Sequence, residues 1–289
     1  MLTQAGDSLN QSVAPDRGFK IVGHRGLPEL YPENSLIGML GAVAAGADAI
    51  ELDIQFSRDG VPFLCHDASL MRVAGIEKKV WELDASALSM TSCGEQSRFA
   101  TKYINEGFCS LARFSEALAT FKGEIFIEVK AESFKEFDRQ FCLDSVIQHT
   151  SIIANHRILI SFDEPFVELS VAAGHRTGLV SKKLSKSTLS FVKRLAKAHE
   201  DFERLPDFQV PASSLSYLAF PKAALYQSGS SVDTIESPII AEERAEILQK
   251  LSNMNVRLFS YDIVDKQEAR LLAKAGVRYI ESWNVYALV

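Results

Sequence analysis

The sequence predicts an α/β protein, a parallel (β/α)8 TIM barrel with a small inserted subdomain after the second strand. Short apolar segments alternate with helical segments from Phe19 to the end of the chain, which is the pattern of a parallel sheet wrapped by helices. The 289 residues also suit one barrel domain, since such domains commonly have about 250 residues. A third observation is that the second apolar segment carries carboxylates on one face, as expected of a strand that reaches a barrel mouth.

The predicted domain comprises residues 19–289 and follows a polar N-terminal tail, residues 1–18. The eight predicted barrel strands are 19–23, 49–55, 124–130, 157–162, 176–181, 207–212, 256–263 and 277–282. The predicted helices are 32–46, 111–120, 133–149, 164–173, 185–203, 241–253 and 265–275. Pro32 suits the first turn of a helix and Gly46 suits its end, so the first helix has both boundary signals.

Two segments interrupt the alternation. After the second strand, residues 61–65 predict a returning strand, and residues 68–108 show no clear succession of strands and helices. We interpret the latter as a small subdomain inserted near the barrel mouth. Residues 213–238 are longer than the usual connection of about 2–6 residues, which predicts a long loop at the catalytic face.

The inner faces of two strands carry the predicted chemistry. Glu51 and Asp53 point the same way on the second strand, as do Glu128 and Lys130 on the third. Three carboxylates that converge inside a barrel repel one another unless a cation lies between them. Oxygen ligands indicate one divalent cation, Mg²⁺ or Ca²⁺, and not zinc.

The charges also suit an anionic substrate. Three carboxylates, a divalent cation and a bound phosphodiester together have a net negative charge, which Arg25 and Lys130 would balance. The two cationic side chains would also stabilise charge that grows on phosphoryl oxygens. His24 follows the first strand and His66 follows the returning strand. They would supply the base and the acid that diester hydrolysis needs. The sequence therefore predicts a metal-dependent phosphodiester hydrolase.

Composition excludes several other classes of protein. The net charge of -6 argues against a nucleic-acid partner, and the four cysteines have no spacing typical of a metal cluster. The sequence contains no apolar run of about 18 residues, so no transmembrane segment is predicted. The first twenty residues lack the apolar segment of a secretory signal. We therefore expect a cytoplasmic enzyme that acts on a small molecule, and the oligomeric state is left open.

Four motifs occur in the order typical of one enzyme family. They are HRGLPELYPENS, GADAIELDIQFSRDGVPFLCHD, Arg72 and IFIEVK. Together they resemble the glycerophosphodiester phosphodiesterase family, a phospholipase C-like phosphodiesterase barrel, and the resemblance is highly specific up to about Asp163. It implies hydrolysis of glycerophosphodiesters to an alcohol and glycerol 3-phosphate. It further implies roles for seven residues: acid and base for His24 and His66, phosphate contacts for Arg25 and Lys130, and metal ligation for Glu51, Asp53 and Glu128.

The sequence departs from the family late in the chain. Where the family usually has Trp-Thr-Val-Asn on the seventh strand, this sequence has Phe259, Ser260, Tyr261 and Asp262. Phe259 retains an aromatic ring for stacking on the glycerol, without the indole N–H. After the eighth strand, Ser282 and Trp283 replace the usual Thr-Asp, so the shape of the substrate is less determined.

Two alternative functions stay open, the first suggested by apolar residues of the segment 213–238 and the second by the late departures together with the length of that segment. One is lysophospholipase D-type cleavage, with the acyl chain in an apolar channel formed by Tyr217, Leu218, Phe220, Leu225 and Tyr226. The other is a catalytically silent barrel that binds phosphate. All seven positions with a chemical role are filled, which favours the enzyme.

Overall fold

A computed structural model of the chain describes residues 17–196, 215–225, 242–254 and 256–289. Nine strands in these ranges form one sheet. They are β1 (Lys20–Gly23), β2 (Ala49–Phe56), β3 (Pro62–Leu64), β4 (Glu124–Val129), β5 (Arg157–Ser161), β6 (Thr177–Val180), β7 (Leu215–Pro221), β8 (Arg257–Tyr261) and β9 (Val277–Ser282).

Eight of the strands close into a parallel barrel, in the order β1, β2, β4, β5, β6, β7, β8 and β9. Closure is made by β1, which pairs in parallel with both β2 and β9. The short β3 is antiparallel and extends the far end of β2, from Ile54↔Leu64 to Phe56↔Pro62. The prediction of a (β/α)8 barrel is confirmed.

Helices follow the strands around the barrel. Those described are α1 (Leu36–Ala44), α2 (Met71–Ala74), α3 (Ala85–Met90), α4 (Gln96–Phe99), α5 (Leu111–Ala117), α6 (Arg139–His149), α7 (Glu164–Ala172), α8 (Lys186–Ala196), α9 (Glu242–Ser252), α10 (Lys266–Lys274) and α11 (Val285–Leu288). Within these described ranges, none of the helices has the length and apolar character that crossing a membrane requires.

The first helix begins later than predicted, at Leu36 and not at Pro32. Asn34 has a φ of 51°, in the left-handed region, which is incompatible with an α-helix that runs through it. The Ser35 side chain then accepts a hydrogen bond from the Gly38 N–H and caps the helix. The sequence from Pro32 to Ser35 is therefore free to form part of the barrel mouth.

The strand faces follow the predicted alternation. Ile50, Leu52 and Ile127 lie outside the barrel, in an apolar core shared with helix residues such as Phe114. A separate inner core fills the barrel with residues from alternate positions of the strands: Val22, Ala49, Phe126, Ile158, Ile160, Val180, Tyr217, Ala219, Phe259 and Tyr279. The inward direction of Glu51, Asp53 and Glu128 follows from the same alternation.

The segment 68–108 contains three short helices, α2, α3 and α4, with a core of its own. This core consists of Phe63, Cys65, Leu70, Val73, Val80, Leu88, Cys93 and Phe108. Three isolated antiparallel bridges, Phe63↔Ser110, Ser69↔Lys79 and Ser92↔Gly107, accompany it. Residues 1–16 of the predicted tail lie outside the described part of the chain, and the domain boundaries stay predictions.

The sixth barrel strand differs from the prediction. The predicted strand 207–212 lies outside the described residues, and the strand observed between β6 and β8 is β7, Leu215–Pro221. This strand occupies the start of what was predicted as the long loop 213–238, so that boundary is wrong. An almost wholly apolar strand has no polar face that marks its period of two. For this reason its residues were assigned to the loop and not to a strand.

The predicted acyl-chain channel is also wrong for the residues that the structure describes. Tyr217 lies in the inner core, while Leu218, Phe220 and Leu225 are buried among the outer core residues. All four residues are 0% exposed, so none of them lines an open channel. Tyr226 lies outside the described residues.

Candidate active site

The structure brings all the predicted site residues to one pocket at the carboxyl ends of the barrel strands. The residues are His24 and Arg25 after β1, Glu51 and Asp53 on β2, His66 after β3, Glu128 and Lys130 at the end of β4, and Phe259 on β8. This end of a (β/α)8 barrel is where active sites are found.

Three buried carboxylates form the candidate metal site. Glu51, Asp53 and Glu128 each offer one oxygen, and these oxygens lie within 4.8 Å of one another. Burial, followed by repulsion from Asp53, raises the pKa of Glu51 well above its ordinary value. Burial is also the main reason that the pKa of Glu128 rises to about 7. The donor set therefore fits a hard divalent cation such as Mg²⁺ or Ca²⁺, which would relieve the repulsion.

Two cations border this cluster and converge on Asp53. Lys130 Nζ lies 2.6 Å from Glu128 Oε1 and 3.2 Å from Asp53 Oδ1, and Arg25 Nε lies 3.0 Å from Asp53 Oδ2. Burial alone would raise the pKa of Asp53, but Lys130 and Arg25 outweigh it and hold that pKa well below its usual range. Asp53 is therefore ionised, and the two cations are fixed at the pocket wall, in reach of an anion.

Local backbone geometry places Arg25. Its φ of 54° is in the left-handed region that most side chains avoid, and its N–H donates to Glu51 Oε2 at 3.1 Å. Nη1 of the guanidinium donates to Glu33 Oε1 at 3.1 Å. Glu33 in turn accepts two hydrogen bonds from Arg72 of α2, at 2.7 and 2.8 Å. The segment after β3 is thus linked to the arginine at the barrel mouth.

The two histidines have different surroundings. Burial, assisted by Arg25, lowers the pKa of His24 to about 3, so its imidazole is neutral at neutral pH. His66 is more exposed, and its Nδ1 lies 2.6 Å from Asp67 Oδ1. Asp67 also accepts a hydrogen bond from Arg72 Nε at 2.6 Å. Both side chains are of a type that can transfer protons. His24 is the more buried of the two, and His66 is the more exposed to solvent.

Phe259 forms part of the pocket floor. It is 1% exposed and packs on Phe126, with 4.9 Å between ring centroids. Phe162, Tyr261 and Trp283 also line the pocket. Stacking of Phe259 on a glycerol moiety stays a prediction.

Sequence reasoning assigned no site role to two further carboxylates that line the pocket, Asp262 after β8 and, on β9, the buried Glu281. Its neighbour Ile280 lies in the outer core, while Tyr279 lies in the inner core, so the period of two directs Glu281 inward. That alternation was available in the segment VRYIES but was not followed. The adjacent Trp283 also lines the pocket, with its ring edge-on to His24 at 4.9 Å between centroids.

A barrel of this kind, with acidic and basic side chains gathered at the carboxyl ends of its strands, is the architecture of a (β/α)8 barrel enzyme. The model of the Glycerophosphoryl diester phosphodiesterase family matches residues 24–280. The chain belongs to this family, which confirms the resemblance.

Individual relatives agree with the family. A bovine Glycerophosphodiester phosphodiesterase 1 is 26% identical over 152 residues, which are 53% of this chain and 45% of the relative. A human glycerophosphoinositol inositolphosphodiesterase is 46% identical over 56 residues, 19% of this chain and 10% of the relative. The chain thus spans less than half the length of these curated relatives.

Two solved structures share the fold. One is an Oleispira antarctica phosphodiesterase in complex with the product sn-glycerol-3-phosphate, with a TM-score of 0.69 and 16% identity over 93% of this chain and 94% of that one. The other is a glycerophosphodiester phosphodiesterase from Agrobacterium tumefaciens, with a TM-score of 0.66 and 21% identity over 93% and 99%. At these identities the likeness supports the fold alone.

Proposed function

We propose that this protein hydrolyses glycerophosphodiesters to an alcohol and glycerol 3-phosphate, with a divalent cation, in glycerophospholipid catabolism. The observation that carries the proposal is the convergence of two histidines, Arg25, Lys130 and three carboxylates in one pocket of a chain that belongs to this family. The bovine relative carries the name of this activity. The cytoplasmic location stays a prediction.

The proposed metal ligands are Glu51, Asp53 and Glu128. Mg²⁺ and Ca²⁺ both take oxygen ligands, and the three oxygens lie close enough to share one cation. When bound, such a cation acts as a Lewis acid towards phosphoryl oxygens and lowers the pKa of a coordinated hydroxyl. Arg25 and Lys130 offset the charge of two of the carboxylates. With a divalent cation bound, the pocket would therefore have one positive charge left and would hold a substrate of one negative charge.

The proposed work of the protein side chains is binding and proton transfer. Arg25 and Lys130 would bind the non-bridging phosphate oxygens and orient the phosphorus. His24, neutral and buried, would take the proton of the attacking hydroxyl, and His66 would protonate the leaving alcohol. In a second step, a water molecule would open the cyclic glycerophosphate that attack by the neighbouring glycerol hydroxyl produces, with the two histidines in exchanged roles.

The decisive experiment measures release of glycerol 3-phosphate from glycerophosphocholine and glycerophosphoethanolamine, with Mg²⁺, Ca²⁺ or a chelator. We expect metal-dependent turnover in the wild type and a loss of at least ~100-fold in His24→Ala and Glu51→Ala. His156→Ala and Glu132→Gln serve as matched controls because both residues lie outside the pocket lining.

The same assay includes lysophosphatidylcholine as a third substrate. Turnover of that lipid alone would replace the proposed substrate class with lysophospholipids. Silence on all three substrates, in folded protein with the metal present, would favour a silent phosphate-binding barrel and refute the proposed function.

A further inference from the structure

We propose that Glu281 is a positioning residue that orients His24 and fixes its tautomer, which deepens the proposed function and rests on it for its kinetic consequence. The imidazole lies between two carboxylates, and each ring nitrogen faces a different one. Nε2 is 3.9 Å from Glu51 Oε2, and Nδ1 is 3.9 Å from Glu281 Oε2. The two ring nitrogens therefore face separate carboxylates.

Glu281 has no other partner in the described part of the chain. Its side chain is 5% exposed, and its carboxylate accepts no hydrogen bond from any residue that the structure describes. His24 Nδ1 is likewise buried and lacks a hydrogen bond from or to a described residue. A buried ring nitrogen without a hydrogen bond is unfavourable. A hydrogen bond between His24 Nδ1 and Glu281 would satisfy it.

The backbone holds these two residues in register. Strands β1 and β9 pair in parallel, with Val22 opposite Glu281, and the His24 N–H donates to the Ser282 carbonyl at 3.1 Å. Both side chains therefore project from adjacent, hydrogen-bonded strand ends. A rotation of either side chain that shortens the gap by about 1 Å gives normal N–H···O geometry. Catalytic hydrogen bonds are often long before substrate binds.

The second histidine of the pocket provides an internal comparison. Nδ1 of His66 already lies 2.6 Å from the Asp67 carboxylate. Pairing of Glu281 with His24 would give both histidines a carboxylate at Nδ1 and leave both Nε2 atoms as the reactive nitrogens. For His24, Nε2 then faces the side of Glu51, where the substrate hydroxyl would approach. This is the arrangement of a base that a third group orients.

Glu281 is not one of the three proposed metal ligands, although it lies within 4.8 Å of one of them, Glu51. The oxygens of Glu51, Asp53 and Glu128 form one set, and Glu281 is grouped with His24 and Glu51 in another. Glu281 Oε2 lies 3.9 Å from Nδ1, which suits pairing at that nitrogen, while one ligand atom each of His24, Glu51 and Glu281 also lie within 4.8 Å of one another, close enough to share a second cation. The number of bound cations tests that distinction.

The test uses the full chain in the metal-free state and reads the tautomer of His24 from its imidazole ¹⁵N–¹H correlations by NMR. Because burial raises the pKa of Glu281, the spectra are recorded as the pH is raised. Once Glu281 is ionised we expect the Nδ1–H tautomer in the wild type, and we expect it also in Glu281→Gln, whose carbonyl oxygen still accepts a hydrogen bond. Glu281→Leu should lose this preference, while the signals of His149 and His156 stay unchanged. His24→Ala identifies the signal.

Kinetics supply a second readout. In Glu281→Leu we expect kcat to fall roughly 10–100-fold with little change in KM, because an oriented base contributes to the chemical step. Glu281→Gln should recover part of that loss. An equal loss in both variants, with unchanged tautomer, would overturn the proposal.

Three results would contradict the positioning role. They are the Nε2–H tautomer in the wild type, a tautomer that Glu281→Leu leaves unchanged, and calorimetric binding of two Mg²⁺ or Ca²⁺ ions per chain with one lost in Glu281→Leu. The NMR readout requires no turnover. A dependence of the tautomer on Glu281 in a protein without phosphodiesterase activity would therefore reject the proposed function and retain the pairing.

Discussion

Asn34 and Asp53 are joined by two hydrogen bonds that run in opposite directions. Asn34 Nδ2 donates to Asp53 Oδ2 at 3.0 Å, and the Asp53 N–H donates to Asn34 Oδ1 at 3.0 Å. Asn34 does so from a left-handed backbone conformation with a φ of 51°, which asparagine tolerates better than most residues. The loop before α1 thus fixes the side chain and the backbone of one proposed metal ligand.

The first prediction concerns Asn34→Ala. We expect Mg²⁺ or Ca²⁺ affinity to fall about 10–100-fold, which is the usual effect of losing a residue that orients a ligand. The free energy of unfolding should fall by roughly 1–3 kcal/mol because the buried Asp53 N–H loses its acceptor. Calorimetric titration and urea unfolding measure the two effects. Asn105→Ala, an exposed position, is the control, and an affinity equal to that of wild type would show that Asn34 does not orient Asp53.

The second prediction concerns stability without metal. Burial and neighbouring carboxylates raise the pKa of Glu51 well above its ordinary value of 4.5. The folded state therefore holds a proton that the unfolded state releases, and the metal-free wild type should lose stability as the pH rises above about 4.5. Glu51→Gln, which carries no charge, should lose less stability over that range and should no longer be stabilised by Mg²⁺ or Ca²⁺.

Thermal unfolding from pH 4 to pH 8, with metal or with chelator, measures this second prediction. Glu132→Gln is the control, since that residue is exposed. A metal-induced rise in Tm that persists in Glu51→Gln would remove Glu51 from the metal site.

The polar strand faces show why much of this site was predictable from the sequence. On β2 and β4, each acidic residue alternates with an aliphatic one, so the period of two separates the inner face from the outer face without ambiguity. The residues at 51, 53, 128 and 130 were placed correctly for that reason. By contrast, every residue of β7 from Leu215 to Phe220 is buried, and a strand buried on both faces carries no such periodic signal.

Glu281 was missed for a different physical reason. It contacts His24 only because β9 pairs with β1 and closes the barrel, which joins residues from opposite ends of the chain. A single glutamate in VRYIES also has no second carboxylate beside it on the same strand face. Contacts of this kind depend on the closed sheet and on the register between its first and last strands.

The third prediction concerns the opposite end of the barrel. Glu124 accepts hydrogen bonds from the hydroxyls of Tyr217 and Tyr279 and pairs with Arg176. Burial alone would raise the pKa of Glu124, but these groups outweigh it and lower that pKa from 4.5 to about 2. Because the folded-state pKa is depressed, the stabilisation is present above about pH 4.5 and is lost as the pH falls towards 2.

Glu124→Gln should therefore lower the free energy of unfolding at pH 7 by up to roughly 3 kcal/mol, the free energy that corresponds to this pKa shift. It should also flatten the dependence of stability on pH between 4.5 and 2. Urea unfolding at several pH values measures both effects, with the exposed Glu116→Gln as control. A pH dependence like that of wild type would show that Glu124 is not the titrating group.

The last prediction concerns Trp283, which stands where the family usually has an aspartate. The indole lies 5.4 Å from the Arg25 guanidinium carbon and edge-on to His24, so one ring supports both the proposed phosphate ligand and the proposed base. A partly buried cation–π contact is worth roughly 1 kcal/mol, or about fivefold in an equilibrium. Trp283→Ala should therefore raise KM for a glycerophosphodiester about threefold to tenfold and lower kcat, while Trp283→Phe should keep both constants close to those of the wild type.

Trp81→Ala is the matched control, because Trp81 carries Lys79 over its ring and lies outside the lining of this pocket. Equal kinetic effects of Trp283→Ala and Trp81→Ala would show that the indole acts through the stability of the barrel mouth and not through Arg25 and His24.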